Sequence, residues 1–413
     1  MTANPNLSLD EQTKHCARCG ACKAQCPSYG FEPHEAMTAR GRLALIRLMT
    51  GGHLPDSRKL RYHINTCLHC GQCDASCPMR LDIQEILFHG KKGLPVGFLF
   101  RKLSRLALSP TRADLLFDVA RVTHGLIYRP LEYVRKYRHI PVPARRPFRN
   151  RHKLFRDTDA RGRVALFVGC SINYLYPEIA EDLLDILLML GYEVVIRQGE
   201  VCCGAPFREL GLHEVAEDLA KRNIDLFAKM HVDAIISACP TCTLTLKVQY
   251  PKLVQVPDDF IERISDVNEF LARILDAPLL DTGPVAYHDP CHLINALSVR
   301  REPRDLIRAT GATLLENPAE PRCCGFGGTF GFLHYEMSRK IGSECVDHVL
   351  RPDIRRLITA CPGCKMQFED ILRGRQDVQV LHIVQYLRQA MDRAALREDS
   401  VLIENEGSGG PAD

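Results

Sequence analysis

Eighteen of the 19 cysteines in this 413-residue chain fall into two spacing patterns, each present twice. The first is Cys16-x2-Cys19-x2-Cys22-x3-Cys26-Pro27, repeated as Cys67-x2-Cys70-x2-Cys73-x3-Cys77-Pro78. Each two-residue step turns the backbone through a tight loop, so three thiolates converge while nearby N–H groups face their sulfurs. The three-residue step and the proline carry the fourth thiolate away, toward a neighbouring cluster. Such spacing holds a pair of [4Fe–4S] clusters. Cluster I would take Cys16, Cys19, Cys22 and Cys77, and cluster II would take Cys67, Cys70, Cys73 and Cys26. Four-cysteine zinc sites usually show two separated Cys-x2-Cys knuckles instead.

The second pattern is Cys170, then Cys202-Cys203-Gly204, then Cys239-Pro-Thr-Cys242. It recurs as Cys291, Cys323-Cys324-Gly325 and Cys361-Pro-Gly-Cys364, at offsets of 121, 121, 121, 122 and 122 residues. Adjacent cysteines point to opposite faces of a strand, so Cys202 and Cys203 converge only in a turn or by bridging different irons. Gly204 and Gly325 are expected to let backbone approach a bulky inorganic core. Gly325-Phe-Gly-Gly-Thr-Phe-Gly331 has the look of a phosphate loop. It lacks the strand–loop–helix frame with a later acidic residue and reads as the lining of a cluster pocket.

The elements that must position these thiols repeat as well. Apolar runs lead into Cys170 (Val164–Val168) and Cys291 (Pro284–His288), and similar ones precede Cys239 and Cys361. Short apolar runs alternating with amphipathic helices predict two α/β halves on parallel strands, with each cysteine just past a strand end. Between the first two motifs, Thr38 to Met49 reads as a helix with Leu45, Leu48 and Met49 on one face, and Leu81 to His89 as another. The expected fold is an α-helical two-cluster ferredoxin domain followed by a duplicated α/β domain with pseudo-twofold halves. Boundaries are expected at 1–90, 91–160 (basic helical segment and linker), 161–280, 281–395 and 396–413 (disordered tail).

Cys202-Cys203-Gly204…Cys239-x2-Cys242 and Cys323-Cys324-Gly325…Cys361-x2-Cys364 resemble the cysteine-rich CCG domain, here duplicated behind a two-cluster ferredoxin. The arrangement is similar to the iron–sulfur subunit of bacterial glycolate oxidase, to its D-lactate and glycerol-3-phosphate dehydrogenase relatives, and to the fused subunit of archaeal heterodisulfide reductase. The resemblance spans nearly the whole chain. It implies an electron-transfer subunit that takes electrons from an FAD-containing dehydrogenase of glycolate or D-lactate and relays them toward quinone or another carrier. No flavin or nicotinamide site is expected on this chain. The ligands implied are Cys170, Cys202, Cys203, Cys239 and Cys242 for the first CCG site, and Cys291, Cys323, Cys324, Cys361 and Cys364 for the second, holding one or two further iron–sulfur clusters. Retention of all ten thiols looks more like heterodisulfide reductase, where five cysteines per motif hold noncubane [4Fe–4S] clusters that cleave a disulfide. Cys323 to Phe330 is similar to the lactate-utilisation branch.

Other features set bounds. No run approaches ~18 apolar residues, so no membrane-spanning helix is expected, and Met1 to Lys14 lacks the apolar core of a signal peptide. A cytoplasmic chain, peripheral on the inner face of the membrane, is the expectation. In a reducing compartment the thiols serve metals rather than disulfides. From Lys91 to Arg156 there are 17 Lys and Arg against Asp114, Asp118 and Glu132, with apolar stretches at Val96–Phe100 and Ala113–Phe117. That combination reads as a docking face for a membrane surface or an acidic partner. No nucleic-acid-binding module accompanies it. His15, His69, His288 and His292 flank cluster cysteines and read as packing or hydrogen-bonding neighbours, not ligands. His288, Asp289 and His292 form the candidate proton-delivery group. Cys345 follows Met337 and Ile341 on one helix face and reads as a buried structural cysteine.

Overall fold

The computed structural model describes residues 9–92, 94–124, 137–151, 154–155, 160–316 and 322–407. Two open sheets form its α/β part. The first runs in the order β1-β3-β2-β4-β5: β1 (Leu154–Phe155), β2 (Gly162–Leu166), β3 (Tyr192–Ile196), β4 (Ala234–Ser237) and β5 (Ile264–Asp266). The second runs β7-β6-β8-β9: β6 (Pro284–His288), β7 (Thr313–Leu315), β8 (Arg356–Thr359) and β9 (Gln379–His382). Apart from the antiparallel edge strand β1, every pairing is parallel, and the order β3-β2-β4-β5 is repeated as β7-β6-β8-β9. The 121-residue sequence offset is thus a structural duplication. Parallel strands are covered on both faces by crossover helices, which is why β4 reads as an unbroken apolar run, Ala-Ile-Ile.

One hydrophobic core crosses both halves, from Val164 and Ile235 in the first to Ile358 and Val384 in the second. The helix Pro177–Met189 packs on the last helix, Ile383–Gly407. That last helix runs through the stretch expected to begin a disordered tail at 396, and residues 408–413 lie outside the described residues.

The N-terminal module is all-helical. Thr38 caps the helix Ala39–Thr50 by accepting from the Gly41 N–H at 3.0 Å. Its buried face only partly matches the expected one: Leu43 and Ile46 are buried with Leu45 and Met49 packed against their cluster, whereas Leu48 is 44% exposed. The register is set by Arg42, which is fully buried and donates to the carbonyls of His63 (2.7 Å) and Thr66 (2.9 Å). Those carbonyls close the helix Arg58–Asn65 just before Cys67. The helix expected at Leu81–His89 spans Ile83–Lys92.

The basic segment is divided. Arg138 and Arg149 point inward, Arg138 onto Ser338 (2.7 Å) and Gly331 O (3.1 Å), Arg149 onto Asp114 and Tyr174 Oη. Lys91 is buried too. Glu132 and residues 125–136 lie outside the described residues.

Candidate metal centre

The structure gathers the thiols into adjoining cavities. Cys16, Cys19, Cys22 and Cys77 line one, beside Arg40 and Leu81. Cys26, Cys67, Cys70 and Cys73 line a second, with Arg42 and Gln84, and Cys22 stands between the two. Donors face these sulfurs: the His69 N–H reaches Cys67 Sγ at 3.4 Å and the Gln84 amide reaches Cys73 Sγ at 3.5 Å. Burial pushes the Cys67 thiol up, while the charges of Arg42 and Lys91 pull against it. Cations held beside thiols favour the thiolate form that binds metal.

The CCG cysteines follow the C-terminal ends of parallel strands, where open α/β sheets collect ligands. Nine of the ten line a single cavity of about 100 Å³: Cys170, Cys203, Cys239 and Cys242 from one half, with Cys291, Cys323, Cys324, Cys361 and Cys364 from the other. Cys202 sits behind Cys170, their sulfurs 3.8 Å apart. The two halves therefore face each other across one space instead of enclosing two separate ones. Within it Cys203 receives thiol hydrogen bonds from Cys202 and Cys242, which hold it well below the usual thiol range. Its repeat partner Cys324 is lowered in the same way by Cys323 and Cys364.

Glycine makes room here, though not where expected. Gly204 (φ +96°) and Gly325 (φ +81°) adopt backbone that L side chains avoid, and their bare Cα atoms face the helices His213–Phe227 and Tyr335–Val349. The glycine that clears the thiols is Gly169, where a Cβ would lie 2.8 Å from Cys242 Sγ. Gly327 and Gly328 of the apparent phosphate loop line the cysteine cavity.

The expected proton-delivery group does not converge. His288 is buried between Thr359 Oγ1 (3.3 Å) and the Arg322 carbonyl (3.2 Å), and Asp289 is held by both Arg304 amino groups at 2.8 and 2.7 Å. Only His292 faces the cavity. His69 stacks on Phe88 at 4.5 Å, and His15 Nδ1 meets the Glu11 carbonyl at 2.7 Å. Cys345 is fully buried, its thiol 3.6 Å from the Arg322 carbonyl.

Sequence reading missed Glu200. Its buried carboxylate accepts from the N–H groups of Val168 (3.0 Å) and Gly169 (2.7 Å) and so fixes the turn that presents Cys170. A carboxylate two residues before a Cys-Cys pair was the available signal.

These residues fit an iron–sulfur group. Thiols converge in sets, glycine clears space beside them, and N–H donors and buried cations face them. Among the described residues, no group of three or more His, Cys, Asp and Glu side chains is arranged to hold a single metal ion. One Zn²⁺ draws each thiolate to about 2.3 Å, whereas a four-iron core is larger and sets its ligands further apart.

Comparison with known proteins agrees with this reading. A cysteine-rich domain model, CCG, matches residues 164–247 and again 285–369, and a 4Fe-4S dicluster domain model matches 12–81. The chain belongs to the CCG iron–sulfur family. It is 26% identical to a probable glycolate oxidase iron-sulfur subunit of Bacillus subtilis, over 92% of this chain and 95% of that protein. It is 30% identical to one subunit of the fumarate reductase (CoM/CoB) of Methanothermobacter marburgensis, over 78% of this chain and 61% of that one. A lactate utilization protein A 2 of Bacillus cereus is 27% identical over 56% of this chain and 100% of its own length. Glutamate racemase RacE1 of Bacillus anthracis overlaps in structure with a TM-score of 0.27 and 12% identity, covering 60% of this chain and 84% of that one, a likeness too slight to carry an argument.

Proposed function

We propose that this member of the CCG family is the iron–sulfur electron-transfer subunit of a flavin-linked 2-hydroxy-acid oxidoreductase of the glycolate oxidase type. A partner FAD dehydrogenase oxidises glycolate or D-lactate, and this chain carries the electrons toward quinone or another carrier. It works in the cytoplasm, peripheral at the inner face of the membrane. Cys16, Cys19, Cys22 and Cys77 hold one [4Fe–4S] cluster and Cys67, Cys70, Cys73 and Cys26 the other. The ten CCG cysteines hold one or two more. Bound there, such clusters supply one-electron transfer at potentials set by charge, hydrogen bonding and burial.

The observation that carries this reading is continuity. Cys22 borders both ferredoxin cavities, and Cys70 shares a thiol hydrogen bond with Cys323 of the CCG cavity. The three sets of thiols thus adjoin one another in turn, and such a succession is what a relay needs.

Anaerobic purification with iron and sulfide analysis tests it. About eight iron atoms account for the ferredoxin cysteines alone, and more than eight are expected. Cys203→Ser and Cys324→Ser should each lower the iron content or alter the EPR spectrum. Unchanged iron and spectra in both variants would remove the CCG cysteines from the ligand set. Co-purification of a flavoprotein supports the dehydrogenase relay.

A second reading, reduction of a disulfide at the CCG site, is favoured by the single cavity that both halves enclose with nine thiols. Reoxidation of the reduced protein by a disulfide, in the absence of quinone, would select it.

A further inference from the structure

A cleft of about 510 Å³ lies between the ferredoxin module and the two CCG halves, with His69, Gln84, Glu85, Arg208, Lys252 and Asn295 in its walls. It adjoins the cysteine cavity along one wall: Glu209, Thr241 and His292 line both spaces. Two of these three are already engaged. His292 Nε2 lies 2.9 Å from the His69 carbonyl, which can only accept, so Nε2 carries the proton and Nδ1 accepts from the Thr241 hydroxyl at 2.9 Å.

Glu209 differs. Its carboxylate belongs to the first half but is anchored to the second, where Oε2 accepts from Thr329 N (3.3 Å) and Oγ1 (3.1 Å). Oε1 accepts no hydrogen bond among the described residues. The residue is 7% exposed. On the ferredoxin side Lys91 Nζ lies 2.9 Å from the Glu209 carbonyl and 2.8 Å from His69 Nε2. Alongside is the Arg208–Glu85 ion pair, the thiol of Cys203 faces it from its own half, and His292 stands across the same wall. Burial holds the Glu209 carboxyl up at about 7, against the opposing pull of Thr329 and Lys91.

We propose that Glu209 is the proton inlet of the cysteine cavity, taking a proton from water in the cleft as each electron enters. This rests on the electron-transfer reading above. An electron brings one negative charge into a space lined by buried thiols, and a carboxylate that gains one proton there cancels it one for one. A two-electron acceptor of the disulfide or quinone class then leaves with two electrons and two protons, and Glu209 returns to the carboxylate after each transfer.

The test needs no substrate. Holoprotein is reduced anaerobically with reduced methyl viologen, which gives an electron without a proton, in weakly buffered solution containing a pH-indicator dye. Viologen bleaching counts electrons and the dye counts protons. Wild type is expected to take up protons on reduction, with uptake rising from pH 6 to pH 8 as Glu209 starts out ionised. Glu209→Gln should lose at least fivefold of that uptake at equal electron and iron counts, and Glu209→Asp should recover part of it. Thr329→Val, which removes a donor from the carboxylate, should move the onset of uptake to higher pH and serves if Glu209→Gln fails to load iron. Undiminished uptake in Glu209→Gln, or an unmoved onset in Thr329→Val, would overturn the proposal. So would a wild type that accepts electrons without protons. A wild type that accepts no more electrons than its ferredoxin cysteines account for overturns the electron-transfer reading itself, and this inference with it.

Discussion

Glu200 shows how much a single buried carboxylate does at the cysteine cavity. Its two oxygens satisfy the N–H groups of Val168 and Gly169, which the turn into the helix Gly169–Tyr174 leaves without backbone partners. Glu200→Ala strands both donors in the interior and should cost roughly 2–5 kcal/mol of stability, measured by urea unfolding. Burial lifts the Glu200 carboxyl from its ordinary 4.5 to about 7. Between those values the folded protein keeps a proton that the unfolded chain has released, so this group's contribution to stability falls as pH climbs through the window. Glu200→Gln removes the titration, and its stability should decline less than that of wild type from pH 4.5 to 7. At this scale the grouping of the thiols was legible and their neighbours were not. Cysteine spacing is a local signal, because each loop bends within a few residues. Glu200, Glu209 and Lys91 act through contacts with residues distant in sequence, and only Glu200, two residues before Cys202, carries any local mark. His288 and Asp289 were misread for the converse reason: proximity in sequence to Cys291 does not say which way a side chain turns at a strand end.

Among the elements, the helix Pro110–Thr123 has two unlike faces. Inward, Phe117 stacks on Tyr174 at 3.8 Å and Asp114 bonds Arg149 and Tyr174. Outward, Leu115, Val119 and Val122 recur at i, i+4 and i+7 and are 64%, 52% and 61% exposed. The preceding helix Phe98–Ser104 exposes Phe98 and Phe100 beside Arg101 and Lys102. Apolar side chains among cations suit the interface of an anionic bilayer, and no helix of the described residues is long and apolar enough to cross one. The protein is expected to sediment with phosphatidylglycerol vesicles at low salt, to leave them at high salt, and to ignore phosphatidylcholine vesicles. Leu115→Asp with Val119→Asp should weaken that binding at least tenfold, with iron content unchanged. The basic composition of this region was plain in the sequence, but the inward turn of Arg138, Arg149 and Lys91 was not, since composition does not separate cations that bind solvent from those that bind carbonyls and rings. The helix Ala39–Thr50 teaches the same lesson: apolar spacing grouped Leu48 with Leu45 and Met49, but the buried Arg42 guanidinium holds the Leu43 side inward and leaves Leu48 exposed.

Across the whole molecule, the ferredoxin module is fastened to the CCG halves by an apolar cluster, Met37 and Leu68 against Phe330, Met337 and Ile341, and by polar contacts. Arg208 pairs with both oxygens of Glu85 at 2.5 and 2.7 Å and lies over the Phe88 ring at 4.3 Å, while Lys91 reaches the Glu209 carbonyl. Arg208 is 1% exposed. Arg208→Ala leaves Glu85 facing Lys252 at 3.8 Å in place of that ion pair, and should cost about 3–5 kcal/mol. Hydrogen exchange should then quicken in Ile83–Lys92 and Ala205–Glu209 before it changes in the sheets. The duplication was legible because an offset of 121 residues survives as a count. The meeting of both halves around one cavity was not, because spacing orders thiols along a chain and says nothing of how two sheets face each other.

Duplication makes the two halves alike, but a single ferredoxin module cannot touch both alike. Cys170 lies beside Cys202, and their counterparts Cys291 and Cys323 form the same pair. Only Cys323 also meets Cys70. A scaffold with twofold repetition thereby has one copy whose thiols meet the ferredoxin thiols at Cys70 and one whose matching thiol does not. Equivalent positions in the two repeats are no longer equivalent in surroundings, and under the proposed relay that asymmetry would give the traffic between them a direction that neither half would possess alone.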